Sequence, residues 1–116
     1  MRVRILSVAL MFGTMLVLPR VASAQDAVAK GAALYASQKC GVCHSAPGIQ
    51  GGNAKGSLDG VGTKFTAAEL HLWLDDPAAM SAKVKATRKP PMKSYKSLSQ
   101  ADKDALVAWM QTLKKK

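Results

Sequence analysis

Cys40-Gly41-Val42-Cys43-His44 is the stretch of this chain in which residue types and spacing together define a chemistry. Two thiols separated by two residues stand about one helical turn apart, and an imidazole follows at once. Such a motif attaches a c-type haem: each sulfur adds across one vinyl group of the porphyrin, and His44 lies beneath the iron as its proximal ligand. Covalent attachment keeps the group in place while the iron changes charge, which suits single-electron transfer. Other chemistries also use paired cysteines. A disulfide or a thioredoxin-like redox pair normally opens a helix after a strand in a βαβ unit, and the chain has no convincing strand. A structural zinc site takes four ligands, and the only other cysteine or histidine is His71. His71 falls on a helix flank and is expected to face solvent.

An iron that shuttles electrons keeps reorganisation small by holding six ligands in both oxidation states, so a sixth donor is expected. A thioether favours the reduced iron and raises its potential. Three of the six methionines, Met1, Met11 and Met15, lie in residues 1–24, read below as a leader that is cleaved away, which leaves Met80, Met92 and Met110. Met110 repeats with Leu106, Trp109 and Leu113 on one helix face and reads as core or its margin. Met80 closely follows the helix that carries Leu70, Trp73 and Leu74 and can pack beside it. Met92 stands in an extended loop directly after Pro90-Pro91, which stiffen the backbone and supply no donor of their own. Met92 is the expected sixth ligand, with Met80 as the alternative.

Helices must position these residues. Asp26 can cap a first helix from Ala27 to about Lys39, with Val28, Gly31, Ala32 and Tyr35 on one face. Gly31 costs such a helix roughly 1 kcal/mol relative to alanine, which close approach of another helix would explain. Ser45 to Lys64 is glycine-rich and reads as loop. Thr66-Ala67-Ala68-Glu69 forms a capping box for a helix carrying Leu70, Trp73 and Leu74, which Asp75-Asp76-Pro77 is expected to end. The pattern over Ala78–Ala86 is weak, one or two helical turns at most, and Thr87–Lys96 is extended around its prolines. Ser99 and Asp102 cap a final helix, and Lys114–Lys116 follow it.

The N-terminus differs in composition from the rest. Arg2 and Arg4 precede an apolar run of 14 residues, Ile5 to Leu18, and then Pro19, Arg20 and Ala22-Ser23-Ala24. The run is short of the ~20 residues a membrane-spanning helix needs, and the whole reads as a secretory signal peptide. Cleavage after Ala24 divides the chain into a leader, 1–24, and one domain, 25–116, expected in the periplasm with no permanent membrane span. The full chain carries 17 Lys plus Arg against 7 Asp plus Glu, a formal +10, and the leader takes three arginines with it. A basic carrier seeks acidic protein partners, such as an oxidase or a reductase, which its field steers into contact. Nucleic acid is a poor alternative, because aromatics are few and the lysines form no reading helix.

Taken together, the segment 25–116 resembles a class I cytochrome c of the small, soluble bacterial monohaem type. Gly31 and Tyr35 look like the glycine and aromatic of that family's first helix, and Cys40, Cys43 and His44 like its haem motif. Pro91-Met92 looks like its methionine loop, and Trp109 like the aromatic of its last helix. The resemblance implies an all-α fold in which the first and last helices cross and loops wrap one haem c, held by Cys40, Cys43, His44 and Met92. Leu58, Gly60 and Gly62 resemble the segment covering the histidine side of the ring. There the family often has a proline whose carbonyl orients the histidine, where this chain has Gly56. Trp73 and Tyr95 either pack on the haem or bond a propionate, or are ordinary core. The function implied is that of a monomeric carrier rather than an enzyme. A fixed subunit of a respiratory or sulfur-oxidising complex, or a haem enzyme or gas- or peroxide-binding protein with a labile sixth ligand, are the alternatives.

Overall fold

The computed structural model describes residues 23–115, so residues 1–22 of the expected leader lie outside the described residues. Among the described residues the structure is helical, with isolated bridges and no strand, as the all-α reading requires. No helix among them is long and apolar enough to cross a membrane.

Helix α1 spans Ala24–Ser37. Its cap is Ser23, not Asp26 as the sequence suggested: the Ser23 hydroxyl accepts from Asp26 N, and the Asp26 carboxylate accepts in return from Ser23 N. Asp26 therefore sits at the third helical position of a reciprocal capping box, and the helix starts earlier than expected. It also ends earlier. Lys39 adopts a left-handed φ of 57°, which breaks the helix and leads into a 3₁₀ turn over Cys40–Val42.

Helix α5 (Gln100–Thr112), capped by Ser99, packs most extensively on α1. The crossing lies at Gly31, where a Cβ would run into the Ala105 carbonyl and the Trp109 side chain. The glycine is thus explained by backbone proximity. Beside it the Tyr35 and Trp109 rings meet at 5.1 Å between centroids, tilted by 50°. At the surface Lys30 pairs with Asp102 across the same two helices at 2.7 Å.

Two further helices lean on α5. The short α2 (Val61–Lys64) lies within the glycine-rich loop, and α3 (Ala67–Asp75) has the expected Thr66–Glu69 capping box. Leu70 and Leu74 of α3 join Tyr35, Leu106, Val107, Trp109 and Leu113 in one core. Pro77 behaves differently from expectation. Rather than only ending α3, it opens α4 (Pro77–Lys83), with Asp76 accepting from Ala79 N at 3.0 Å as the cap. Proline suits that first position because its missing N–H would be unpaired there anyway. Met80 of α4 is fully buried. His71 faces solvent only in part: it is half-buried, with Nε2 3.2 Å from a carboxylate oxygen of Asp104 on α5.

Candidate functional site

Between α1, α3, α5 and the two long loops lies a cavity of about 760 Å³, within the size range of cofactor sites. Cys40, Cys43, His44 and Met92, separated by up to 52 positions in the chain, all line it. Leu70, Leu74, Leu106 and Trp109 supply much of its apolar wall. Met80 is not among the lining residues, because α4 turns it into the interior beside α3. Met110 does reach the wall, although it is 92% buried on α5 as part of the core.

The cysteines are presented by the turn that follows α1. Both Cys43 N and His44 N donate to the Cys40 carbonyl, at 3.1 and 2.9 Å, so the motif is wound like a helix turn although α1 has ended. The His44 carbonyl is held twice, by Tyr35 Oη at 2.8 Å and by Asn53 N at 3.0 Å. Its ring is oriented by the next loop, where Nδ1 lies 2.8 Å from the Gly56 carbonyl oxygen. A carbonyl only accepts, so Nδ1 carries the proton, and in the neutral imidazole Nε2 keeps the free lone pair. Gly56 thus makes the contact for which the family often uses a proline. A side chain there would strike the Cys43 carbonyl and the Arg88 guanidinium. Glycine lets the loop close onto the motif.

The loop carrying Met92 is tied to the end of α3. Tyr95 N donates to the Leu74 carbonyl at 2.7 Å, and Ser94 Oγ donates to the Asp75 carbonyl at 2.8 Å. These are carbonyls that the helix itself leaves without donors. Sequence patterns carried no signal for either bond, since the partners are far apart in the chain. Trp73 and Tyr95 are half-buried and both line the cavity, with Trp73 edge-on to Phe65 at 6.0 Å.

Burial pushes the Cys40 thiol up, and the nearby Tyr95 hydroxyl and the charge of Lys93 only partly oppose it. Desolvation likewise raises the Tyr95 hydroxyl, with the neighbouring Cys40 sulfur adding to the effect. Tyr95 therefore remains a protonated donor in the cavity at neutral pH.

A family model for cytochrome c matches residues 28–114. The chain belongs to the cytochrome c family. As a cytochrome c it is a haem-binding electron-transfer protein, and its helical fold is that of the family. Comparison with curated proteins and with solved structures found no match. The residues of this cytochrome fit the group its family binds. An apolar cavity carries two free thiols at attachment spacing, an imidazole with one nitrogen occupied and the other basic, and a thioether.

Proposed function

We propose that this cytochrome is an exported carrier of single electrons with one haem c, attached through Cys40 and Cys43 and ligated by His44 and Met92. The observation that carries the reading is that these four side chains line one cavity while the Gly56 carbonyl holds the His44 ring in the tautomer a ligand needs. When bound, the haem supplies a one-electron iron couple. The chain supplies the rest. Gly56 keeps the Nδ1 proton on His44, Tyr35 and Asn53 fix the backbone beneath it, and the leucines and Trp109 exclude water. No bond-making step on a substrate is required, so the protein is read as a carrier and not as an enzyme.

Processing after Ala24 fits the same reading. It removes Ser23 and the capping box, but leaves Asp26 in the first turn, where its charge favours the helix N-terminus. Attachment is tested on protein from a host that exports and matures c-type cytochromes. The expected product begins at Gln25, is heavier by one haem, and keeps its colour after acid extraction under denaturing conditions. A colourless chain with both thiols open to alkylation overturns the assignment.

The mouth of the cavity suits a docking partner that is acidic. Val42, 72% exposed, lies on the cavity wall, and Lys39, Lys55, Lys64 and Lys93 also border the cavity. An exposed apolar side chain and four ammonium groups bordering one cavity match a partner surface that carries carboxylates beside an apolar contact. Electron-transfer rates with an acidic oxidase or reductase should therefore fall steeply between about 10 and 200 mM salt, as the Debye length shortens from about 30 Å to under 10 Å. Rates that ignore salt would sink the acidic-partner reading.

A further inference from the structure

Lys103 is the one buried charged residue among the described residues, its side chain 9% exposed. It lies on α5 amid Ala105, Leu106 and Val107, and Nζ reaches the carboxylate of Asp75 at 2.7 Å. A buried ammonium is held at considerable desolvation cost and persists only when paired. The position of its partner makes the pairing informative. Asp75 is the last residue of α3, and its own carbonyl oxygen takes the hydrogen bond from Ser94 Oγ. Ser94 in turn accepts from Lys96 N at 3.2 Å, so it pins a turn two residues beyond Met92. Next to it, Tyr95 N is bonded to Leu74 of the same helix end. The ammonium also lies toward the negative end of the α3 dipole, which adds to its hold on that terminus.

We propose that Lys103 is a positioning residue for Met92: through Asp75 and Ser94 it locks the end of α3, and with it the methionine loop, onto the α1–α5 scaffold. The inference rests on the reading of Met92 as the sixth ligand. Its physical content is that the loop is extended, proline-bearing and without helical bonds of its own, so beyond the packing of Met92, Tyr95 and Leu98 on the core its position depends on these few attachments. With them made, the Met92 thioether is delivered to one place. With them broken, the loop opens more readily and a competing ligand reaches the vacated side.

The test uses the ferric holoprotein titrated with imidazole, which competes with a thioether for iron, and follows the weak far-red absorption of a methionine–iron bond. Lys103→Met keeps the length and burial of the side chain without its charge, and should raise imidazole affinity about tenfold. Ser94→Ala, a small exposed change, should raise it about threefold. Because both act along one path, the double variant should gain less than the product of the two. Lys30→Met removes the surface Lys30–Asp102 pair between α1 and α5, away from the methionine loop, and serves as control, lowering global stability without moving the affinity. An imidazole affinity in Lys103→Met no higher than in Lys30→Met overturns the proposal. Should Lys103→Met fail to fold, unchanged affinity in Ser94→Ala overturns it alone. Met92→Ala separates the two levels. Loss of the far-red band there together with unmoved affinities in the other variants sinks only the positioning role, whereas a band that survives in Met92→Ala sinks the ligand reading beneath it.

Discussion

Replacing Met92 by alanine is expected to leave the haem attached and the fold intact, to remove the far-red methionine–iron band, and to lower the reduction potential by about 0.2 V, within the ~0.8 V that axial ligands span. Attachment survives because Cys40, Cys43 and His44 sit on the turn after α1, closed by the bonds of Cys43 N and His44 N to the Cys40 carbonyl, and His44 is bonded to Tyr35, Asn53 and Gly56, none of which belongs to the methionine loop. The potential falls because a thioether stabilises the reduced iron, and water or nothing in its place does not. Neither remaining methionine is free to take over. Met80 is fully buried on α4 and does not line the cavity, and Met110, although it reaches the cavity wall, is only 8% exposed and packed in the core with Leu106 and Leu113. Visible spectra of the oxidised protein and a redox titration decide the matter. A band that persists with an unchanged potential transfers the role to Met80 or Met110.

Gly31→Val should cost about 3 kcal/mol or more of folding stability, toward the upper end of overpacking effects. What stands in the way is the Ala105 backbone carbonyl and the Trp109 Cβ, neither of which can rotate aside. The helices must separate, and the Tyr35–Trp109 contact separates with them. Against a total stability of about 5–15 kcal/mol this is a large fraction. Chemical denaturation followed by circular dichroism measures it directly. Damage should also spread to the site, because the Tyr35 hydroxyl that holds the His44 carbonyl is carried by the same helix. Gly31→Ala is expected to lose less, since alanine recovers roughly 1 kcal/mol of helix propensity. A midpoint unchanged in the valine variant would mean that α1 and α5 do not cross where the structure has them.

Sequence by itself determined the chemistry and the class of fold. The spacing Cys40-x-x-Cys43-His44, the caps at Thr66 and Ser99, the apolar repeat of Leu106, Trp109, Met110 and Leu113, and the out-of-place Gly31 are all local statements. Each depends on residues within about one or two helical turns, so each can be read without knowing what lies across the molecule. Where local rules competed, reading faltered. Asp26 and Ser23 both make good caps, and the reciprocal bond between them selected the earlier start. Pro77 is both a helix stop and a helix start, and Asp76 decided that it serves as the start of α4.

Only the tertiary structure decided how the site is held. The Gly56 carbonyl meets His44 across 12 positions, Ser94 meets Asp75 across 19, and Lys103 meets Asp75 across 28. It also turned His71 from an expected solvent-facing residue into the partner of Asp104. Nothing in the spacing of these residues marks them as neighbours, because their separation is set by how the loops and α5 lie against α1 and α3. A hydrogen bond extends only about 3 Å, so its partners become known only when the packing that brings them together is known.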